Sequence, residues 1–293
     1  MPSVTDGTQV YSPHAFEREL EVACQAALQA GRALMQLYGR QMAAGTETEN
    51  ELEAEATSGS QRIIRAALQD AFSCDAMLCE GAQDSPDRLH SSRVWIIDPL
   101  DGTSEFVTGM GEFSVMIAFL QESALRVGVV YQPVGDVLYY ALAGGGAYRS
   151  NGHGPERLRC APSTNGVGVG VTRSPTDPIV LQLCRENGFT DIEPGGSVGL
   201  QCARIAEGGR HLYVHPVASM GEWDTAAPEL ILTEAGASVT DCLGRALTYN
   251  KQVPLQSSGV LAAHPTLTFR VIPTLARMMK GERHVLNRRS YGK

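Results

Sequence analysis

The sequence predicts an α+β and α/β protein, with an antiparallel sheet in its first lobe and alternating strands and helices in its second. Between residues 94 and 150, short apolar segments are separated by Gly, Pro, Asn and Asp turns, as expected of consecutive antiparallel strands. Beyond residue 155, strand-like and helical segments alternate, which is typical of α/β domains. We therefore expect a first lobe over residues 1–154 and a second over residues 155–293.

Two helices are expected before the first strand. From residue 16 to residue 38, apolar residues recur at the three- and four-residue spacing of one helix face. Residues 40–56, RQMAAGTETENELEAEA, lose this periodicity and are acidic, which indicates a mobile loop. A second helix is expected over residues 60–72.

Five strands should follow in the first lobe, in the segments VWII, FSVMIAFL, LRVGVVYQP, VLYYALAGG and GAYRS. The second of these is apolar in both alternating sets of residues, so both of its faces should be covered. Strands and helices of the second lobe are expected in GVGVGVTRS, DPIVLQLCRENG, SVGLQCARIAEG, HLYVHP, WDTAAPELILTEAG, ASVTD and GVLAAHP. A final helix should run from Pro265 to about Lys280.

The composition and net charge indicate which partners and which cellular location to expect. The chain is 43% hydrophobic and contains no apolar run of membrane-spanning length, so no membrane partner is expected. Its first residues, MPSVTDGTQVYSPHAF, lack the basic-then-apolar pattern of a secretory signal, which favours a cytoplasmic location. A formal net charge of -8 argues against a nucleic-acid polymer as the main partner. An acidic protein can still handle phosphate if metal ions supply positive charge.

Two carboxylates lie three residues apart in VWIIDPLDG, where a buried strand is expected to end. Asp98 and Asp101 should lie in a turn, because Pro99 interrupts a strand ladder and Gly102 permits a tight bend. Taken alone, such residues are ordinary turn formers. A functional interpretation requires further carboxylates that converge on the same place.

Two such carboxylates are available. Glu80 ends another strand-like run in MLCEGA, and Asp224 stands at the first turn of an expected helix in GEWDTAAPELIL. Like charges in one place repel each other, so four carboxylates are stable together only if cations share the site. Mg²⁺ prefers carboxylate oxygens, and the set contains no His or Cys of the kind that zinc prefers. The sequence therefore predicts a magnesium site, and a two-metal site can polarise a phosphoryl group and activate water.

The segments WIIDPLDGTSEF and EWDTAAPELILTEAGA together resemble the paired signatures of the inositol monophosphatase superfamily. Members of this superfamily are magnesium-dependent, lithium-sensitive phosphatases. The Glu after DGTS, GEFSVMIAFL and GVVYQPVGDVLYYALAGGGAY are more similar to its 3'(2'),5'-bisphosphate nucleotidase branch. The resemblance covers nearly the whole chain. It implies a layered αβαβα sandwich of the sugar-phosphatase type. It also implies a hydrolase acting on a small phosphomonoester, foremost the 3'-phosphate of adenosine 3',5'-bisphosphate or a related nucleotide.

The resemblance implies a metal-binding role for five residues. Glu80, Asp98 and the carbonyl of Leu100 would bind a first ion. Asp98, Asp101 and Asp224 would bind a second. Both ions would be held tightly, with Mn²⁺ able to replace Mg²⁺, and Asp98 and Glu80 would thereby also be catalytic.

Catalytic and substrate-binding roles follow from the same resemblance. The Thr103 hydroxyl would orient the attacking water, and Gly102 and Thr103 would present backbone N–H groups to the phosphate. Asp224 and Ser197 lie in segments that contact substrate in the family. A serine that caps a helix is an equally good account of Ser197. A favourable charge near a helix N-terminus is the structural alternative for Asp224.

Two positions depart from the family pattern. Thr57, in EAEATSGSQRII, stands where the family has an aspartate that helps to hold a third, weaker ion and pairs with the threonine of the DGT motif. Gly81 follows Glu80 in place of a second glutamate. A third ion should therefore bind poorly, unless Glu53 or Glu55 substitutes for the missing carboxylate. Plain solvent exposure of both glutamates is the other interpretation.

Three functions stay open. The first is the nucleotidase, the second a cyclitol or sugar monophosphatase of the inositol type, and the third a catalytically weakened relative that binds a metal-phosphate ligand. Thr57 and Gly81 favour the third. Gln201 and His211 fall in segments where substrate contacts are expected, but neither identifies the substrate. The expected partner is a small phosphorylated molecule, and the resemblance also admits a homodimer.

Overall fold

The computed structural model describes residues 15–44, 48–163, 166–173 and 177–290. Its helices are α1 (Glu17–Ala44), α2 (Glu49–Ala71), α3 (Thr103–Val107), α4 (Pro178–Asn187), α5 (Val198–Ala206), α6 (Ala226–Glu234) and α7 (Pro265–Ser290). The strands of the first half are β1 (Ala76–Cys79), β2 (Arg93–Asp101), β3 (Ser114–Gln121), β4 (Ala124–Gln132), β5 (Val137–Leu142), β6 (Gly146–Ser150) and β7 (Pro155–Arg157). Those of the second half are β8 (Gly168–Thr172), β9 (Asp191–Gly195), β10 (Leu212–His215), β11 (Ser238–Thr240) and β12 (Val260–Ala263).

The first sheet contains β1 to β7, which are neighbours in space in the same order as in the chain. β1 and β2 are parallel, and every later pair is antiparallel. All five strands expected between residues 94 and 150 are present. β7 pairs with β6, so the first sheet extends three residues past the lobe boundary expected after residue 154. That boundary was therefore placed slightly too early with respect to the sheet.

The second sheet has the strand order β11-β12-β10-β8-β9 and mixes parallel with antiparallel pairs. Most of its strands lie in the segments expected from the sequence. β9 was not expected, because Asp191–Gly195 reads DIEPG, with two acidic residues, a proline and a glycine. As an edge strand it leaves one side unpaired, which is where proline is tolerated in a sheet.

The elements stack in five layers. α1 and α2 cover one face of the first sheet, where they contact β2, β3, β4 and β5. α5 and α6 contact the first sheet and also strands of the second, so this pair fills the space between the two sheets. α4 and α7 contact each other and share a core with the second sheet. The αβαβα sandwich implied by the family resemblance is confirmed.

Alternating residues of β10 show how the central layers are joined. Tyr213 belongs to the core between the two sheets, whereas its neighbours Leu212 and Val214 face the core beneath α4 and α7. In β3, residues 114–120 are all buried, which confirms that both faces of this strand are covered. Within the described part of the chain, no helix combines the length and apolar character needed to cross a membrane.

The expectation of a mobile loop over residues 40–56 is wrong for most of that segment. α1 continues to Ala44, and α2 begins at Glu49, well before the expected start at Ser60. The side chain of Thr48 accepts a hydrogen bond from the N–H of Glu51, whose carboxylate accepts one from the N–H of Thr48. This capping box is present in the sequence as T-x-x-E at Thr48 and Glu51. The acidic composition of the segment favoured a loop instead.

Candidate active site

Asp98 and Asp101 lie inside strand β2 and not in the turn that the sequence predicts. Asp98 is paired with Met116 and Asp101 with Ser114, so the register of β2 against β3 shifts by one residue between the two aspartates. This irregularity accommodates Pro99, which has no N–H for the ladder. The strand therefore passes through the proline and carries both carboxylates into the interior.

Two short-range contacts fix the irregular part of β2. The N–H of Leu100 donates to Asp98 Oδ1 at 3.0 Å. The buried hydroxyl of Ser60, on α2, donates to the carbonyl oxygen of Pro99 at 2.6 Å. Sequence reasoning missed Ser60, because a serine on a helix 39 residues away carries no local signal of this contact.

Asp224 completes a group of three carboxylates. One carboxylate oxygen each from Asp98, Asp101 and Asp224 lies within 4.8 Å of the others. Asp224 precedes helix α6 and is not in its first turn, since Thr225 is the residue that precedes the first helical position. Its carboxylate accepts a hydrogen bond from the N–H of Gly221 at 2.7 Å, which closes a tight turn and aims the side chain at β2.

Asp101 is held by the start of helix α5. Its carboxylate accepts hydrogen bonds from the hydroxyls of Ser197 and Ser114 and from the N–H groups of Val198 and Gly199. Ser197 also caps α5 by accepting from the N–H of Leu200 at 3.0 Å. The capping interpretation of Ser197 is therefore confirmed. Its contact with substrate stays a prediction for a side chain that is only 1% exposed.

Glu80 lies beside the three aspartates, just after β1. Its N–H donates to the carbonyl of Ile97 at 3.0 Å, which continues the pairing of β1 with β2. Its pKa is raised by burial and by the neighbouring charge of Asp101, and is lowered in part by interactions with the side chains of Asp98 and Trp223. The position expected for Glu80, next to the carboxylates of the adjacent strand, is therefore present.

Burial and mutual repulsion make these carboxylates unfavourable when they are charged. Burial, followed by the charges of Glu80, Asp101 and Asp224, raises the pKa of Asp98 well above its usual range. Burial also raises the pKa of Asp101, Asp224 and Glu80. Among the residues that the structure describes, no Lys, Arg or His forms an ion pair with any of the four. A buried, all-oxygen donor set of this kind fits a hard divalent cation, whose charge would offset the repulsion.

Thr57 and Gly81, the two departures from the family pattern, lie next to each other. The side chain of Thr57 lies 3.9 Å from where a Cβ on Gly81 would be, and both residues line a cavity of about 450 Å³ next to α2. Glu53, one helical turn before Thr57, lines the same cavity, and its charge contributes to the raised pKa of Glu80. Glu55 instead forms an ion pair with Arg40 on an exposed surface, so it is not placed to substitute for the missing carboxylate.

A second cavity, of about 390 Å³, begins where β2 ends. We call it the Thr103 cavity; its lining residues are Gly102, Thr103, Ser104, Glu105, Thr172, Arg173 and Gly196. Gly102 adopts a left-handed conformation with φ +87°, which bends the chain from β2 directly into α3. Gly102 and Thr103, which the sequence suggested as phosphate-binding residues, both line this cavity, and their role stays a prediction. Sequence reasoning did not single out Arg173, which reaches the cavity from the end of β8.

Gln201 and His211, which the sequence placed near substrate, do not line the Thr103 cavity. Gln201 is 3% exposed, and its amide is wedged between Gly170 and Gly195. His211 accepts a hydrogen bond from the N–H of Gly168 at 3.1 Å, which joins the loop before β10 to β8. Both side chains are occupied in packing the second lobe.

The chain is similar to known proteins over most of its length. The model of the inositol monophosphatase family matches residues 16–280. A 3'(2'),5'-bisphosphate nucleotidase CysQ from Salmonella typhimurium is 32% identical over 245 residues, which is 82% of this chain and 97% of the relative. An inositol-1-monophosphatase from Bacillus subtilis is 26% identical over 261 residues, covering 84% of this chain and 92% of the relative.

Among solved structures, CysQ from Bacteroides thetaiotaomicron, described as a bacterial member of the inositol monophosphatase family, is similar in fold. It aligns with a TM-score of 0.75 and 28% sequence identity, over 85% of this chain and 98% of its own. The match to the family model extends from α1 into α7 and includes every carboxylate of the site. The chain therefore belongs to the inositol monophosphatase family, whose members are metal-dependent, and it is a phosphoric monoester hydrolase.

Proposed function

We propose that this protein is a Mg²⁺-dependent phosphatase that removes the 3'-phosphate from adenosine 3',5'-bisphosphate or a related nucleotide. The observation that carries the proposal is the group of three carboxylates, two buried on β2 and one partly buried before α6, which has no ion-pair partner among the described residues. Asp101 of this group immediately precedes Gly102, which lines the Thr103 cavity. The nucleotide is suggested by the names of the CysQ relatives, whose identity to this chain is about 30%.

In this proposal, each residue of the site has a separate task. Glu80, Asp98 and the Leu100 carbonyl would hold one Mg²⁺, and Asp98, Asp101 and Asp224 would hold a second. Ions bound there would supply polarisation of the phosphoryl group and a lowered pKa of water. Asp98 would help to hold both ions, because its carboxyl group interacts with Glu80 as well as with Asp101 and Asp224.

The chain itself positions the substrate. Gly102 and Thr103 offer N–H groups to the phosphate oxygens, and the Thr103 hydroxyl orients the attacking water. Ser197 keeps the Asp101 carboxylate in one orientation through its hydrogen bond, and α5 adds two backbone donors to the same carboxylate. Because these groups are fixed by the fold, little reorganisation is needed when substrate binds.

A cyclitol or sugar monophosphatase is the second candidate, favoured by the similarity to the inositol-1-monophosphatase of Bacillus subtilis. Phosphate release from adenosine 3',5'-bisphosphate, adenosine 3'-monophosphate and inositol 1-phosphate, each with Mg²⁺ or Mn²⁺, separates the two. A higher kcat/KM for the bisphosphate supports the nucleotidase, and a higher value for inositol 1-phosphate supports the alternative. No release from any substrate would support the catalytically weakened relative.

Chelation should abolish the activity. Among the residues that the structure describes, no cationic side chain pairs with these carboxylates, so we expect no turnover in excess EDTA and recovery when Mg²⁺ is restored. The measurement is phosphate release before and after the chelator is neutralised. Undiminished turnover in EDTA would overturn the metal-dependent mechanism for this chain.

Thr57→Asp should accelerate the reaction. A threonine hydroxyl is a far weaker base than a carboxylate, and positioned general bases typically contribute about 10²- to 10⁴-fold. We therefore expect kcat at saturating Mg²⁺ to rise by up to about 10²-fold, the lower end of that range. Affinity for the two tightly held ions should be unchanged.

Two glutamate variants serve as comparisons. Glu53→Gln alters the carboxylate that shares the cavity with Thr57, and Glu55→Gln alters the one that is paired with Arg40 outside it. Glu55→Gln should leave kcat unchanged. If Thr57→Asp has no effect while Glu53→Gln abolishes turnover, Glu53 supplies the missing carboxylate and the prediction for Thr57 is wrong.

A further inference from the structure

Arg173 provides the positive charge among the side chains that line the Thr103 cavity. The other lining residues are glycines, hydroxyl-bearing residues and Glu105. Arg173 follows β8 in the second sheet, whereas Gly102 and Thr103 follow β2 in the first. The cavity is therefore formed where the two halves of the fold meet, with the proposed phosphate-binding amides on one side and a guanidinium on the other.

Two carboxylates hold the Arg173 side chain in place. Its Nε donates to Glu105 Oε1 at 3.2 Å, and its Nη2 donates to Glu112 Oε2. Glu105 is 4% exposed and packs so closely on Gly196 that a Cβ there would collide with its carboxyl group. Glu105 is also the residue after DGTS that distinguishes this motif in the sequence. The guanidinium is thus positioned before any ligand arrives.

One edge of the guanidinium remains available. Arginine offers five N–H donors, and the two carboxylates engage only Nε and Nη2. Nη1 forms no hydrogen bond with any residue in the described part of the chain, and the side chain is 35% exposed. Its two N–H groups can therefore donate to a further acceptor in or at the mouth of the cavity.

The chemistry of the site indicates what that acceptor is. The reacting phosphate would bind near the carboxylates, and Arg173 pairs with none of them, so its guanidinium is suited to another anionic group of the same molecule. A phosphate accepts two parallel hydrogen bonds from a guanidinium with good geometry. The cavity, at about 390 Å³, falls within the range of small-molecule sites.

We propose that Arg173 binds a second phosphate group of the substrate and thereby selects a bisphosphate over a monophosphate. This inference rests on the proposed phosphatase function and adds to it a residue that determines specificity. Glu105 and Glu112 are positioning residues, which hold Arg173 so that no described residue accepts a hydrogen bond from Nη1.

The test compares Arg173→Gln with the unsubstituted enzyme on adenosine 3',5'-bisphosphate and on adenosine 3'-monophosphate, both with Mg²⁺. A hydrogen-bonded charge contact of this kind corresponds to about a 10- to 100-fold effect, so kcat/KM for the bisphosphate should fall by that factor, mainly through KM. For the monophosphate, which lacks the second phosphate, kcat/KM should fall by a much smaller factor, so the ratio of bisphosphate to monophosphate kcat/KM should fall about 10-fold or more. Arg173→Lys keeps the charge without the planar guanidinium. Its kcat/KM for the bisphosphate should lie between the values for the parent and for Arg173→Gln.

Arg204→Gln is the matched control. Arg204 also donates to Glu112, at 3.2 Å, and is 32% exposed, but it does not line the Thr103 cavity. Arg204→Gln removes a positive charge that pairs with Glu112, as Arg173→Gln does. The ratio of bisphosphate to monophosphate kcat/KM should nevertheless stay at the parent value. Equal loss of bisphosphatase and monophosphatase activity in Arg173→Gln would overturn the inference. It would show that Arg173 only stabilises the position of the loop before α5.

Product binding gives a readout that does not depend on turnover. By calorimetry with Mg²⁺ present, adenosine 5'-monophosphate should bind Arg173→Gln about 10- to 100-fold more weakly than the parent, while inorganic phosphate should bind both alike. Unchanged binding of adenosine 5'-monophosphate would contradict the inference alone. If the parent enzyme releases phosphate from no substrate, it is the proposed function that fails.

Discussion

Replacement of Asp98 by asparagine should nearly eliminate phosphatase activity. The side chain is 1% exposed and interacts electrostatically with all three neighbouring carboxylates, as expected of a residue that bridges two ions. Changes to groups that only support metal ligands already cost about 10- to 100-fold in affinity or activity, so loss of the shared ligand should lower kcat/KM by more than about 100-fold. Near-normal activity of Asp98→Asn would show that the site is wrongly assigned.

The same variant should be at least as stable as the parent when metal is absent. The pKa of Asp98 is raised on folding, so the folded protein binds more protons than the unfolded chain and its stability falls as pH rises through the folded-state pKa. Asparagine removes that unfavourable charge at neutral pH. A ligand that binds the folded state stabilises it, and the variant should bind Mg²⁺ more weakly than the parent. Added Mg²⁺ should therefore raise the melting temperature of the parent more than that of the variant.

Asp241→Asn provides a control for the chemical change itself. Asp241 is also buried, at 8% exposure, and accepts hydrogen bonds from the N–H groups of Leu243 and Arg245, outside the carboxylate group of the site. It should retain activity and show the parental melting-temperature shift with Mg²⁺. Equal shifts for the parent and Asp98→Asn would contradict a metal-binding role for Asp98.

Gly102→Ala should be the most damaging glycine substitution in the site. Its φ of +87° is costly for a residue with a side chain, at about 1–2 kcal/mol. A Cβ at this position would lie 2.6 Å from the backbone oxygen of Glu112 and 3.3 Å from the backbone nitrogen of Ser197. Backbone atoms of two other segments would have to move. We expect at least about 2 kcal/mol of lost stability, from strain and overpacking together.

The displacement should also impair catalysis. Gly102 and Thr103 are proposed to hold the phosphate, and a shift of about 1 Å in such groups can cost about 10²-fold in rate. Gly236→Ala isolates the conformational cost, since Gly236 has the same φ of +87° but nothing within 4 Å of the place that a Cβ would occupy. That control should lose stability modestly and keep its activity. Equal activity losses in the two variants, measured at a temperature where both are folded, would contradict a specific role for Gly102.

Much of the architecture could be predicted from local sequence. Alternation and turn residues located five strands of the first sheet, and the DPLDG and EWDTAAPE motifs suggested the three aspartates that the structure brings together. The errors arose where a local rule was overridden. Pro99 continues β2, because a register shift in the ladder absorbs the missing donor, and the acidic segment after residue 48 is helical because a capping box and tertiary packing support it.

The sequence by itself determined the fold class, the carboxylates that could hold a metal ion and the family, because each depends on residue types in a local order. Only the tertiary structure decided which distant side chains meet. Ser60 reaches Pro99 from α2, Ser197 holds Asp101 from α5, and Arg173 reaches the Thr103 cavity from the second sheet. Such contacts join residues far apart in the chain, and their geometry follows from how the layers pack. No spacing within a single segment encodes them.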